Sequence, residues 1–367
     1  MPIRKIAVLG AGHGGCAAAA DLTLRGFEVR LHARREETLA PLRAAGGIGA
    51  RGVVAGRARP ALMTTSLAEA TEGADLAMLV VPSVAHADYA AALAPLMRPD
   101  LPVFVNPGHT GGGLHFAAAL RRAGYDRALR CCETVTLTYI CRKGGPAEID
   151  IFAMVKKLGF AALPGRITAE MAALIRPLYP EIRPCSSVLE TGLMNLNAVF
   201  HPPGMVMNAG WIEATGGAFR FYAEGMTPAV GRVVASVDAE RIAVARALGV
   251  PTQSFLETFF AAGLTTRAAM ESGDIARACA ESAANAAIMS PPSLDHRYMH
   301  EDIGYGLVPI AAFGDLAGVA TPTIDALIRI GSDAAGIDYA AAGLGLDAMG
   351  LAGMDAARLL AFVEEGA

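Results

Sequence analysis

Short apolar runs alternate with small-residue or amphipathic stretches through the first half of the chain, and then the alternation stops. Lys5–Gly10 (KIAVLG) predicts a buried strand, Gly15–Arg25 a helix of small residues and Phe27–Ala33 a second strand. Asp75–Val81 (DLAMLVV) predicts a third strand, stopped by Pro82, with a helix from His86 to Met97 after it. Pro102–Asn106 follows as a strand, then the turn NPGHTGGG. Arg130–Ile140 reads as one further strand with Glu133 inside it, and Ile149–Lys156 as a strand pairing beside it. Strands alternating with helices in this way predict a doubly wound, mostly parallel α/β sheet.

After about Arg183 the apolar positions recur at helical spacing and β-branched clusters thin out. Val230–Leu248 predicts a long helix ended by Gly249-Val250-Pro251, and Pro322 is placed to begin another through Ile330. The expected organisation is an α/β domain over residues 1–183 and an all-α domain over 184–367, with the boundary in PEIRPCSS at 180–187.

Composition narrows the classes available. Of 367 residues, 53% are hydrophobic and 18% charged, and a net charge of −4 without a basic run argues against a nucleic-acid partner. A mean hydropathy of +0.39 raises the question of a membrane span. The most apolar stretch, Tyr305–Ile324, is broken by Asp315, glycines and two prolines, so none is expected. The apolar run after MPIRK is too short for an export leader. Six cysteines at positions 16, 131, 132, 141, 185 and 279 form no C-x-x-C pair, the usage of a reduced protein, and the cytoplasm is the expected setting.

Chemistry enters at Gly10-Ala11-Gly12-His13-Gly14-Gly15, between the first strand and the first helix. A lone G-x-G-x-x-G is a weak signal. With a strand before it, a helix after it and a second strand ending about 20 residues on, it becomes a Rossmann fingerprint for a nicotinamide dinucleotide. Gly10 permits the tight turn, Gly12 lets the backbone approach a pyrophosphate, and Gly15 lets the helix lie close to the strand. His13 and Gly14 in the loop, with Val81 and Pro82 at the end of the third strand, complete the expected cofactor-binding set. The second strand ends His32-Ala33-Arg34-Arg35, with no carboxylate before Glu36 and Glu37. NAD sites place an acid there for the ribose 2′-hydroxyl, whereas two guanidinium groups suit a 2′-phosphate, so NADP is expected over NAD. A flavin enzyme would share the first motif, but the helical second half leaves no second adenine or flavin domain.

Two segments of the second half mix polar residues with helix breakers. NLNAVFHPPGMVMN (residues 195–208) sets His201 before a Pro-Pro-Gly break, and DHRYMHEDIGYGLVP (295–309) carries Arg297 and Asp302. By residue type alone, His201 is more often a satisfied core histidine than a catalytic one, while Asp302 could only cap a helix and Arg297 could only form a surface ion pair. Met205 and Met207 read as core, and Trp211, Phe219 and Tyr222 as candidates for a substrate pocket. His109, in the NPGHTGGG turn, reads equally as a plain turn residue and as part of a cleft. His296 and His300, four apart beside Asp295 and Glu301, have a metal-like spacing.

N-x-N-x-x-x-H-P-P-G-M and R-Y-x-x-E-D-x-x-Y-G-L-V-P resemble the two helical-domain signatures of the octopine/nopaline (opine) dehydrogenase family. ETVTLTYICR (133–142), FYAEGMTPAV (221–230) and VDAERxxVARALGV agree in the same order, so the resemblance spans nearly the whole chain. It implies NAD(P)H-dependent reductive condensation of an amino acid with an α-keto acid through an imine, or the reverse oxidation. It implies His201 as acid/base, Asp302 as its partner, Arg297 as clamp on a substrate carboxylate and Glu133 as a residue near the substrate. The family uses no metal, and none is expected. The residue types suit that chemistry: histidine passes a proton near neutrality, a carboxylate fixes its tautomer, and arginine matches a carboxylate in two hydrogen bonds.

Two alternatives stand beside this reading. A ketopantoate- or glycerol-3-phosphate-type reductase would need a lysine on the helical domain, yet Asn195–Arg232 contains none and the last lysine is Lys157. A non-catalytic dinucleotide sensor would have no use for His201, Arg297 and Asp302. The expected partners are small molecules, not nucleic acid or membrane, and the apolar helical half allows a homodimer.

Overall fold

Apolar strand residues with no exposed face dictate a sheet covered on both sides, and that is how the first half folds. The computed structural model describes residues 3–366. Its strands are β1 (Lys5–Leu9), β2 (Glu28–His32), β3 (Ile48–Gly52), β4 (Gly56–Ala58), β5 (Leu62–Thr64), β6 (Leu76–Leu79), β7 (Val103–Val105), β8 (Cys131–Thr134), β9 (Tyr139–Gly145), β10 (Glu148–Met154), β11 (Leu158–Leu163) and β12 (Ile182–Pro184). Eight form one sheet in the order β12-β11-β8-β7-β6-β1-β2-β5, parallel except where β11 opposes β8. Alternate residues feed two cores: Ile6 and Val8 one face, Ala7 and Leu9 the other. Cys132 and Cys131 likewise enter opposite cores, as period-two alternation requires.

β1 pairs with β2 on one side and β6 on the other. Strand order reverses there, and in such sheets the ligand crevice opens beyond the carboxyl ends at that point. The glycine loop follows β1 into this position.

The remaining strands form a second sheet, β4-β3-β10-β9. Arg130–Ile140 is therefore not one strand: its first part, β8, joins the main sheet, and its end begins β9 in the small one, where β10 pairs with it as expected. The break is made by a side chain. Asn106 Oδ1 accepts from Thr134 Oγ1 at 3.1 Å, Thr138 N at 3.1 Å and Thr138 Oγ1 at 3.0 Å, which turns the chain between the sheets. Strand propensity carries no trace of that bond.

Two compact units result, one reaching to Thr191 and regaining the chain from Ala361, the other Gly192–Leu360. The division falls at Thr191/Gly192 rather than at 183/184, because β12 pairs with β11 and Arg183 holds Glu190 at 3.1 Å. The last turn belongs to the first unit: Arg121 lies 5.3 Å from the Phe362 ring centre and donates to the Gly366 carbonyl at 2.9 Å.

The second unit is helical, with only an isolated Arg220–Met289 bridge among its described residues. The expected long helix is Pro228–Ala247, followed by Gly249 at φ +65°, and Pro322 opens a helix reaching Ala335. Among the described residues no helix is long and apolar enough to cross a membrane.

Candidate active site

The loop after β1 is shaped by what its glycines leave out. Gly10 sits at φ +115°, and a Cβ there would strike the Val80 carbonyl and approach Val81 Cγ1 to 2.7 Å. A Cβ on Gly15 would collide with the Gly10 carbonyl, and one on Gly14 would meet Leu137 Cδ1 at 2.7 Å. Gly12, by contrast, faces open space, and the helix His13–Leu24 that it caps has neither a side-chain cap nor an acid in its first turn. Its first turn thus presents the positive end of the helix dipole to an anion. Side-chain-free backbone beside an uncapped helix fits a dinucleotide pyrophosphate.

The other expected cofactor residues border this loop with different freedom. Val81 is half-buried and Pro82 exposed, while exposed His13 accepts from Lys143 N at 3.4 Å through Nδ1. Arg34 and Arg35 are exposed at the end of β2. Glu36, the first acid beyond them, is bonded to Arg43. Sequence reading missed a carboxylate nearby, since Asp88 Oδ2 lies 3.3 Å from Arg34 Nη1.

Glu133, expected near the substrate, is enclosed by its own unit. It has no exposed surface: Oε2 accepts from Gly113 N at 2.8 Å and Oε1 from the Thr191 hydroxyl. Burial pushes its pKa up to about 7, against those two hydrogen bonds and His109, which lower it. The NPGHTGGG turn makes room for it, because a Cβ on Gly108 or Gly113 would strike the carboxylate. Here Glu133 ties a glycine turn to Thr191. His109 of that turn is buried at φ +54°, with Nδ1 3.1 Å from Ser83 Oγ.

In the helical unit two close helix contacts assemble the polar core. The Pro-Pro-Gly sequence does not break its helix, which runs Leu196–Met207 from the Asn195 cap through both prolines. The prolines forgo two internal hydrogen bonds, which surrounding packing tolerates. Gly204 gives room: a Cβ would meet Phe221 Cζ at 2.6 Å, so the turn Phe221–Gly225 closes onto the helix. Gly306 does the same beyond the helix Arg297–Asp302, where a Cβ would lie 2.7 Å from Ala198 Cβ.

These approaches bring His201 Nδ1 to 2.7 Å from Asp302 Oδ2 and His201 Nε2 to 2.9 Å from the Tyr222 hydroxyl. His201 is 4% exposed and Asp302 1%. Asp302 Oδ1 has no hydrogen-bond partner among the described residues. Burial pushes the His201 pKa below its ordinary value of 6.5, opposed by Asp302. The resting imidazole is therefore neutral at pH 7, with its proton on Nδ1 toward the carboxylate, and it can take a second.

Tyr298 and Asp302 are one helical turn apart on one face, and Tyr298 stacks on His201 with ring centres 3.6 Å apart at 14°. Sequence reading passed over Tyr298, although its four-residue offset from Asp302 was the available signal. Arg297, one position earlier, is exposed and lies 3.3 Å from Glu301. Trp211 stacks on Phe219 at 3.8 Å, and Met207 is half exposed while Met205 is core. His300 is held by Asp295 and Tyr339, each at 2.8 Å, and His296 caps its helix through Tyr298 N.

Comparison with known proteins follows this division. Residues 184–335 match the NAD/NADP octopine/nopaline dehydrogenase alpha-helical domain, and residues 5–106 the N-terminus of NAD-dependent glycerol-3-phosphate dehydrogenase. An opine dehydrogenase of Arthrobacter sp. (strain 1C) is 34% identical over 98% of this chain and 99% of its own. The chain belongs to the opine dehydrogenase family. It is an opine-type NAD(P)-dependent oxidoreductase acting on CH–NH bonds, and the lysine-dependent reductase and sensor alternatives are not favoured. The protein ocs of Agrobacterium tumefaciens (strain Ach5) is 26% identical over 96% of this chain and 97% of its own. The opine dehydrogenase fold itself recurs in octopine dehydrogenase solved with NADH and L-arginine (TM-score 0.78, 21% identity, 97% and 98% of the two chains). It recurs again in NADP+-bound yersinopine dehydrogenase (TM-score 0.73, 17% identity, 99% and 98%).

Proposed function

We propose that His201 and Asp302 are the acid/base pair of a reductive condensation between an amino acid and an α-keto acid, with Arg297 as the carboxylate clamp. The buried 2.7 Å contact between His201 and Asp302 carries this reading. The substrate ammonium gives a proton to the neutral imidazole, which frees its lone pair to add to the keto carbon. The nitrogen then passes one proton to the alkoxide to give a carbinolamine. Returned to the carbinolamine hydroxyl, the imidazolium proton lets water leave and an iminium form. Held at the Gly10–Gly15 loop, a nicotinamide dinucleotide would supply the hydride for the iminium carbon, and the product amine takes a proton from solvent. Asp302 holds the tautomer and stabilises the imidazolium throughout. Arg297 exchanges Glu301 for a substrate carboxylate, for which its exposure leaves it available.

We assign NADP over NAD, supported by the exposed Arg34 and Arg35 and by the engagement of Glu36 with Arg43. A 2′-phosphate would displace Asp88 from Arg34. The same reading includes a cytoplasmic setting, supported by six free cysteines, and a homodimer through the apolar helical half, which sedimentation velocity tests. The direct test is NADPH and NADH consumption across a grid of L-amino acids and α-keto acids, with L-arginine and pyruvate included. Consumption that needs both organic substrates is expected, and consumption with the keto acid alone would overturn the condensation.

A further inference from the structure

His201 is enclosed on every side that the reaction would use. Its Nδ1 is committed to Asp302, its Nε2 to Tyr222, and its two faces to Phe200 (centres 4.4 Å, 27°) and Tyr298 (3.6 Å, 14°). An acid/base group must lie within one hydrogen bond, or one bridging group, of the proton it moves. The Tyr222 hydroxyl lies 3.4 Å from the Tyr298 hydroxyl, and Tyr298 is the half-buried member of the set, whereas His201 and Tyr222 are each 4% exposed. The hydroxyls thus lead outward from the imidazole.

We propose that Tyr222 and Tyr298 carry the proton between His201 and the substrate as a two-phenol relay. This rests on the reading of His201 and Asp302 as the acid/base pair. With Asp302 accepting from Nδ1, the neutral imidazole offers its Nε2 lone pair to the Tyr222 O–H, and Tyr222 oxygen accepts the Tyr298 O–H. In the base stroke a substrate ammonium N–H bond breaks and its proton passes to Tyr298 oxygen. The Tyr298 proton moves to Tyr222 oxygen and the Tyr222 proton to His201 Nε2. The stroke ends with an imidazolium against Asp302 and two neutral phenols. The acid stroke reverses each hop and delivers the proton to the carbinolamine hydroxyl. No electrons leave the chain and no tyrosinate needs to persist, in keeping with burial, which holds the Tyr222 phenol well above its usual pKa.

A simple cover over Nε2 would have to swing away, but the packing opposes it. Tyr222 lies edge-on to Phe221 at 5.2 Å and tilted against Phe200 at 5.5 Å, on the turn that Gly204 draws against the helix.

The test uses the full chain saturated with nicotinamide cofactor, pyruvate and the L-amino acid giving the highest wild-type rate. Tyr222→Phe keeps the ring and should lower kcat about 10- to 100-fold, with cofactor KM unchanged. His201→Asn should lower kcat further, and the double variant should be no worse than His201→Asn alone, since members of one relay act as a unit. With 3-fluoro- and 3,5-difluorotyrosine installed at position 222, kcat should track phenol acidity. A flat series despite a slow Tyr222→Phe would make Tyr222 a spacer and overturn the relay. Tyr222→Phe as fast as wild type or faster, beside an inactive His201→Asn, would overturn the relay and leave the pair standing. Wild-type turnover in His201→Asn would overturn both.

Discussion

The glycine loop after β1 and the imidazole pocket of the helical unit meet opposite requirements. The loop must keep side chains away so that backbone N–H groups can face a ligand, and a run of six consecutive residues achieves this. The pocket must gather side chains, and it draws His201, Tyr222 and the Tyr298–Asp302 turn from three separate segments. Both use glycine, with different effect. Gly10 and Gly15 fold a turn onto itself, while Gly204 and Gly306 let distant segments close. The contrast separates two failures: damage to the loop should appear in cofactor binding, and damage to the pocket in turnover.

The sharpest attempt to break that separation is His201→Ala. Turnover should fall at least about 100-fold while NADPH titration by fluorescence is unchanged. Loss of both together would mean that the pocket supports the loop, and the contrast would fail. Asp302→Asn should lower kcat on the order of 100-fold or more by freeing the tautomer. It also removes the group opposing burial. The acidic limb of the kcat/KM profile, expected below 6.5 in the wild type, should therefore move to still lower pH.

Two single methyl groups compare the glycines directly. Gly15→Ala should raise cofactor KM by about 10-fold or more as the helix N-terminus is forced from the turn. Gly306→Ala, which presses on Ala198, should reduce kcat and spare cofactor KM. An equal effect of both on KM would erase the distinction. Within the loop's surroundings, Arg34→Ala with Arg35→Ala should raise the NADPH KM about 10-fold with little change for NADH. Equal effects on the two cofactors would reject the NADP assignment.

The smallest effect belongs to Glu133. Its carboxyl is raised to about 7 from an ordinary 4.5, so between these values the folded chain holds a proton the unfolded chain has lost. Its contribution is fully present below 4.5 and is lost as pH rises through about 7. Glu133→Gln cannot ionise, so its thermal midpoint should fall less than the wild type's on going from about pH 5 to pH 8. Parallel curves would show that Glu133 does not govern the tie to Thr191.

Much of the framework was legible along the chain because it rests on short-range rules. Strands β1 and β2, the glycine turn, the helix after Pro228 and its stop at Gly249 follow from side-chain period and backbone dihedral preference, each set within a few residues. The two helical-domain phrases also singled out His201 and Asp302, which the fold brings together, although not the geometry of their contact. What escaped depends on pairs far apart in sequence. The Asn106 side chain divides residues 130–140 between two sheets, and Gly108 and Gly113 enclose Glu133. Asp88 stands beside Arg34, and tertiary packing carries a helix through Pro202 and Pro203. Tyr298 covers the imidazole, and Tyr222 closes its outer nitrogen. Local chemistry determined which residues were able to act. Only packing, which couples segments that the chain's own period cannot relate, decided that the imidazole faces two phenols.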